Sequence, residues 1–323
     1  MLLDTASLYF RAFHGVPDAV KAPDGTPVNA VRGLLDMIAK LVTTYRPARI
    51  VACWDDDWRP QWRVDLIPSY KAHRAVAVVA DGADVEEMPD SLQAQLPLIR
   101  EALDVLGIPI IGRAGYEADD VIGSLAAQAS VPVDIVTGDR DLFQLVDDET
   151  HVRVIYTARG MSNLEVVTDA VVAAKYGVLP RQYADFAVMR GDTSDGLPGV
   201  PGIGDKTAAM LLAAHGDLAA ILGAAESGEG IPGRVRAKLL AALPYLAVAP
   251  RVVRVVRDLD LAVDEAVDEG VDEGVALAAA ADSGPVGPRD PEADRAARAF
   301  AEERSLGSAM GRALVAMSTA PPA

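Results

Sequence analysis

The sequence predicts a doubly wound α/β domain with a mostly parallel sheet, followed by an all-α domain. Three features carry that prediction. In the first half, short apolar runs alternate with longer amphipathic stretches, the rhythm of parallel strands joined by crossover helices. From about Thr168, β-branched runs give way to alanine- and leucine-rich helical segments punctuated by glycine and proline. Within that second half lies one compact turn, Gly199 to Gly204.

Taken in order, the apolar runs 1–3, 50–54, 108–111, 133–136 and 152–155 read as strands, and 28–45, 91–106 and 117–129 as the helices between them. A ligand site is expected outside the carboxyl ends of such strands. The first domain spans 1–167, and its stretch 70–95 is too long and too mixed for a plain connection, which suits an arch or lid. The helical domain spans 168–260. Residues 261–293 read as an acidic linker, expected to be disordered, and 294–317 regain helical spacing through Phe300, Leu306, Met310 and Leu314 and dock back on the body.

Composition excludes several classes. A chain of 323 residues, half of them hydrophobic, suits two modest domains. One cysteine, Cys53, cannot build a disulfide scaffold, and there is neither a signal peptide nor a run of ~18 apolar residues, so a soluble cytoplasmic protein is expected. The net charge of −17, from 30 Lys+Arg against 47 Asp+Glu, argues by itself against a nucleic-acid binder. That charge is unevenly placed, however. Residues 258–294 hold 12 acids and one arginine, a charge of −11, which leaves −6 elsewhere; setting aside nine acids of a candidate metal site leaves +3.

Four of those nine acids fall at strand ends. Asp4 follows the first strand, Asp55 the second, and Asp139 and Asp141 the fourth, all on one edge of the sheet. Glu117, Asp119 and Asp120 open a helix, where Glu117 and Asp120 share a face and Asp119 leans the other way. Asp192 and Asp195 begin the helical domain. Any one of them is more often a cap or a turn former. Together they would repel strongly unless cations compensate them, and an oxygen-only donor set favours Mg²⁺ or Mn²⁺ over zinc. Two ions ~3.5–4 Å apart would serve both the attacking and the departing oxygen of a phosphoryl displacement.

Two further signals concern polyanions. The turn through Gly199, Gly202 and Gly204 runs into a helix carrying Lys206 and Thr207, so backbone N–H groups, a cation and a hydroxyl can meet one phosphate without reading a base. Alone it is a common tight turn, and it lacks the spacer of a P-loop. Between residues 58 and 74, Arg59, Arg63, Lys71, His73 and Arg74 interleave with Trp58, Trp62 and Tyr70, which suits an unpaired strand, although an ordinary surface loop can look the same.

In this order the motifs resemble the 5′-nuclease family: the flap endonucleases and the 5′→3′ exonuclease domain of bacterial DNA polymerase I. The carriers are 1–14, 69–74, 115–120, 137–142, 191–199 and the hairpin through Thr207. The resemblance implies a PIN-like (resolvase-like) domain followed by a helix-hairpin-helix, SAM-like domain. It implies that Asp4, Asp55, Glu117 and Asp119 hold one metal and Asp139, Asp141, Asp192 and Asp195 a second, with Asp120 beside them. It assigns Lys71 and Arg74, together with Asp4 and Asp120, to catalysis. Phe10, Arg11, Tyr70, Gly199, Gly202, Gly204, Lys206 and Thr207 are assigned to DNA, with K⁺ at the hairpin. Phe10 stands where the family usually has tyrosine, which keeps stacking and loses a hydroxyl. Residues 75–87 carry no Lys or Arg, so a 5′ strand would find little guidance there.

The expected function is a two-metal 5′→3′ exonuclease or 5′-flap endonuclease acting on DNA with 5′ ends, flaps or nicks, RNA/DNA hybrids included. It resembles a stand-alone nuclease, since no polymerase follows. The alternatives are a PIN-type single-strand ribonuclease, against which the hairpin argues, and a catalytically weak binder of branched DNA, against which the full set of acids argues.

Overall fold

The computed structural model describes residues 1–77, 84–261 and 284–319. The strands are β1 (Leu2–Asp4), β2 (Val51–Cys53), β3 (Ala75–Ala77), β4 (Val85–Glu86), β5 (Ile110–Ile111), β6 (Val133–Thr137), β7 (Val152–Tyr156) and β8 (Glu165–Val167). The helices of the first domain are α1 (Thr5–Gly15), α2 (Asn29–Tyr45), α3 (Gln61–Leu66), α4 (Asp90–Gln93), α5 (Leu96–Val105) and α6 (Ala118–Gln128). After β8 come α7 (Asp169–Tyr176), α8 (Tyr183–Arg190), α9 (Asp205–His215), α10 (Leu218–Ser227), α11 (Gly233–Ala241), α12 (Leu243–Leu246) and α13 (Ala249–Val253). The chain closes with α14 (Pro291–Glu303) and α15 (Ala309–Thr319).

Six strands form one sheet in the order β5-β2-β1-β6-β7-β8, parallel except that β8 runs antiparallel to β7. Its two faces follow from the pleat, because successive residues point to opposite sides. Leu2 pairs with Val51 and Ile135, and all three enter one core; Leu3 pairs with Ala52 and Val136, and these enter the other. The first core takes in Val121 and Ile122 of α6 and continues into the helical domain through Tyr183, Phe186, Leu212 and Val253. The second is covered by α1, α2 and α5 and then by α14 and α15, through Ala297, Phe300, Met310 and Leu314. The connections after β1 and β6 thus leave toward opposite faces, which opens a crevice at the carboxyl ends of these adjacent strands.

Several expectations change. The helix expected at 91–106 is broken into α4 and α5, with Pro97 in the first turn of α5. The helix expected at 294–317 is two, interrupted where Ser305 and Gly307 take positive φ of 56° and 62°. Helix α1 and the edge strand β8 were not anticipated. The acidic linker lies largely outside the described residues, but its end is ordered: Ile50 N–H donates to the Gly284 carbonyl at 3.1 Å and Val286 N–H to that of Ala48 at 2.8 Å. The arch is described on both sides of 78–83, where β3 and β4 pair as a short hairpin. No single described helix is long and apolar enough to cross a membrane.

Candidate active site

At the crevice lies an acid-lined basin of about 490 Å³, bordered by Asp4, Asp55, Glu117, Asp119, Asp139 and Asp192, with Lys71, Arg74, Arg140 and Phe10. Each acid is placed by backbone. Asp4 ends β1 and caps α1, accepting Ser7 N–H at 3.1 Å on one oxygen and the Thr137 hydroxyl at 2.6 Å on the other. Asp55 accepts the Ala118 N–H at 2.8 Å, which ties the end of β2 to the start of α6. Asp139 accepts the Asp141 N–H at 2.8 Å, shaping the turn after β6. Asp192 accepts from the Ser194 N–H at 2.8 Å and lies 3.2 Å from Arg190.

The electrostatics of this basin are those of a site short of positive charge. Burial, then the neighbouring Asp55 and Asp139, push Asp4 up to about 7 against its hydrogen bonds to Thr137 and Ser7. Burial raises Asp55, and burial with Asp139 and Asp4 raises Asp119 well above the ordinary carboxylate range. Asp141 is raised likewise by burial, Asp139, Asp195 and Asp192. Asp195 is pushed up to about 6, by burial and by Asp139 and Glu117, with Lys71 and Arg74 opposing. Glu117 goes the other way, because Lys71 and Arg63 outweigh its burial. Two groups of acids emerge, one around Asp4, Asp55 and Asp119 and one around Asp141, Asp192 and Asp195, with Asp139 adjoining both. Among the described residues no three acids already converge into one closed ligand set. The donor chemistry, oxygen only and crowded with like charge, fits hard divalent cations.

The cations at the rim have fixed geometry. Lys71 takes a left-handed φ of 48°; its Nζ contacts Glu117 and donates to the Trp58 carbonyl at 3.2 Å, and its backbone N–H donates to the Asp195 carbonyl at 2.9 Å. Arg74 reaches Asp195 at 3.0 Å and the Ser194 carbonyl at 2.8 Å. Phe10 borders the basin, and Arg11 lies half-buried beside it with no hydrogen-bond partner for its Nε among the described residues.

The structure corrects three expectations. Asp120 does not border the basin: it is fully buried, both its oxygens are held by Arg63 at 2.7 and 2.8 Å, and one also accepts the Val256 N–H at 2.9 Å. Tyr70 is not a stacking surface, since it is 4% exposed and its hydroxyl donates to Glu117 at 2.7 Å. Arg59 and Arg63 do not belong to an exposed basic stretch. Arg59 is buried against Asp84 and the Tyr70 carbonyl, and Arg63 against Glu117, Asp120 and the Val252 carbonyl. Arg63 was legible in principle, because it shares the i, i+3, i+4 stripe with Leu66 and Ile67. Arg140, which lies within the 137–142 motif but was given no role, and Glu86 also border the basin.

Beside the basin stands the glycine-rich hairpin. Gly199 has φ 64°, and a Cβ there would lie 2.5 Å from the Gly191 nitrogen; Gly202 has φ 77°, and its carbonyl accepts Lys238 at 2.6 Å. A Cβ at Gly204 would meet nothing, so that surface is open just before α9 begins at Asp205. Lys206 is exposed and Thr207 half-buried. Arg236 holds the carbonyls of Ala225 and Glu226 at 2.5 and 3.2 Å, closing the end of α10.

A mostly parallel sheet with carboxylates massed at its switch point and a glycine-rich hairpin in the helical domain defines a metal-assisted nuclease with a resolvase-like first domain. The chain belongs to the 5′-3′ exonuclease family, matching its N-terminal resolvase-like domain over residues 1–177 and its C-terminal SAM fold over 178–271. It is 56% identical over 319 residues to a 5′-3′ exonuclease of Streptomyces coelicolor, covering 98% of this chain and 100% of that one. It is 52% identical over 266 residues to a 5′-3′ exonuclease of Mycobacterium tuberculosis, covering 80% and 84%. It is also 40% identical over 266 residues to DNA polymerase I of Mycobacterium bovis, covering 81% of this chain and 28% of that protein. Among solved structures it shares its fold with T5 5′-exonuclease bound to divalent zinc (TM-score 0.60, 19% identity, 78% and 88% covered). The catalytic core of Rad2 in complex with DNA substrate is also similar (TM-score 0.55, 18% identity, 98% and 91% covered).

Proposed function

We propose that this protein hydrolyses DNA phosphodiester bonds near free 5′ ends and at 5′-flap junctions, in the reducing cytoplasm, with Mg²⁺ or Mn²⁺. The observation that carries this reading is the basin itself, where burial and neighbouring acids push up Asp4 and Asp55 at the carboxyl ends of β1 and β2 and Asp119 at the start of α6. Asp4, Asp55, Glu117 and Asp119 would hold one ion, and Asp139, Asp141, Asp192 and Asp195 the other. Two such ions, when bound, supply activation of water and neutralisation of charge at the leaving oxygen.

The remaining work falls to side chains. Lys71 and Arg74 stand at the rim and offer positive charge to an incoming phosphate, which gains where negative charge develops. Phe10 offers a face to the nucleotide beside the cut. The hairpin through Gly199, Gly202 and Gly204, with Lys206 and Thr207, grips duplex backbone, with K⁺ as a candidate occupant, so recognition is by shape rather than base sequence.

Cleavage of a labelled 5′ flap, a nicked duplex and single-stranded RNA, each with Mg²⁺ and with chelator, tests the reading. Both DNA substrates should be cut to 5′-phosphate products only with the cation. Cleavage of RNA alone, or activity surviving chelation, would overturn it.

A further inference from the structure

Away from the basin, a groove of about 900 Å³ runs between α3, the turn before α6 and the segment 250–258. Its lining includes Arg181, Arg251, Arg254 and Arg257 against one carboxylate, Asp258, together with Trp62 and Tyr116. Two arginines have their charge partly engaged: Arg254 lies 2.7 Å from Asp185, and Arg257 donates to the Gln144 carbonyl at 2.7 Å. Arg181 and Arg251 are exposed and make no side-chain hydrogen bond or ion pair among the described residues. The two rings are half-buried, 6.3 Å apart at 51°, and Trp62 is held by its Nε1 bond to the Gly115 carbonyl at 3.2 Å and by the Arg63 guanidinium 4.5 Å away.

Unspent cations alone would suit any polyanion. Fixed aromatic rings among them narrow the choice, because unpaired bases offer π-faces to stack on, whereas duplex hides its bases and an acidic peptide has none. Position points the same way. Tyr116 of the groove directly precedes Glu117 of the basin, and Trp62 directly precedes Arg63, which holds Glu117, so groove and basin adjoin at the start of α6.

We propose that this groove docks single-stranded nucleic acid, with Arg181 and Arg251 on phosphates and Trp62 and Tyr116 under bases. The proposal rests on the nuclease reading above, since it supposes that unpaired strands reach the protein. It is tested on the full chain with Arg181→Gln and Arg251→Gln combined, by anisotropy of labelled oligothymidylate and of blunt duplex in Ca²⁺ across a salt series. Single-strand affinity should fall on the order of tenfold, and the slope of log affinity against log salt should shrink by about 1.4, as two lost phosphate contacts require. Duplex affinity, thermal midpoint and cleavage of a flapless nicked duplex should be unchanged.

Single-strand affinity and slope equal to wild type would overturn the proposal, as would oligoglutamate of equal charge competing as well as oligothymidylate. The two readings fail differently. If the nuclease reading is wrong, the wild-type protein leaves the nicked duplex uncut in Mg²⁺; if only the groove is wrong, the wild type cuts it and the double variant binds oligothymidylate undiminished.

Discussion

Arg63 forks onto Asp120, its two terminal nitrogens 2.8 and 2.7 Å from the carboxylate oxygens, with both residues almost fully buried. The same guanidinium reaches Glu117 at 2.9 Å and, through Nε, the Val252 carbonyl at 3.0 Å. One side chain therefore joins the last helix of the helical domain to the start of α6. Removing it strands a buried carboxylate, so Arg63→Ala should cost ~3–5 kcal/mol in urea unfolding, and a loss under about 1 kcal/mol would contradict the assignment. Arg63→Lys keeps the charge and loses the fork, so it should fall between.

The basin predicts an unusual pH dependence. Asp4 binds its proton more tightly in the folded protein, at about 7 against 3.8, so its protonated form stabilises the fold below the lower value and that contribution is lost as pH rises through about 7. Without divalent cation, the thermal midpoint should fall between pH 5 and 8; with Mg²⁺ the fall should shrink, because binding to the folded state adds stability where the acids are ionised. Asp4→Asn keeps an acceptor for the Ser7 N–H and should raise the metal-free stability at pH 8, by about 4 kcal/mol at most. A metal-free midpoint that climbs with pH over this range would refute the argument.

Asp139 adjoins both groups of acids, and Asp141 is half-buried beside Asp139, Asp192 and Asp195. Replacing both with alanine should reduce cleavage in Mg²⁺ by at least ~10³-fold while leaving flap binding in Ca²⁺ largely intact. Retained turnover would show that the second group of acids holds no catalytic ion.

Lys206 stands exposed in the first turn of α9, beside the open backbone of Gly204. Lys206→Ala should weaken duplex binding about equally for all sequences and reduce the salt slope by about 0.9, the value of one phosphate contact. Anisotropy with two unrelated duplexes checks it, and a sequence-selective loss would mean that this lysine reads bases.

What could be read from the sequence, and what could not, divides along physical lines. Asp4, Asp55 and Asp139 were legible because strand ends put them on one edge, and backbone periodicity alone places them there. The spacing of Glu117, Asp119 and Asp120 correctly separated two helix faces, yet it could not say what lies over the second face. That is Arg63, 57 residues earlier in the chain. The same blindness made Tyr70, Arg59 and Arg63 look exposed, since a stretch dense in cations and rings reads alike whether it faces solvent or is folded under an arch. Helix α1 was missed because Asp4 looked like the end of a strand, whereas it is also the cap of the following helix.

Gly196 offers the sharpest test of how the arch is registered against the helical domain. Its φ is 69°, and a Cβ would sit 2.1 Å from the Ser69 carbonyl oxygen. That contact is part of a short seam in which the Ser69 hydroxyl donates to the Gly196 carbonyl at 2.8 Å and the Lys71 N–H to that of Asp195 at 2.9 Å. Gly196→Ala must therefore push residues 69–71 away and carry Lys71 from the rim of the basin. The expected result is a fall in kcat with duplex affinity preserved, together with ~1–3 kcal/mol of lost stability from the forced backbone. Gly223, inside α10 with nothing within 4 Å of its would-be Cβ, gives the opposite sign: alanine there should stabilise by ~0.5–1 kcal/mol and leave kcat alone. If Gly196→Ala instead cuts at the wild-type rate, Lys71 is placed by the arch alone and the seam to Asp195 has no part in catalysis.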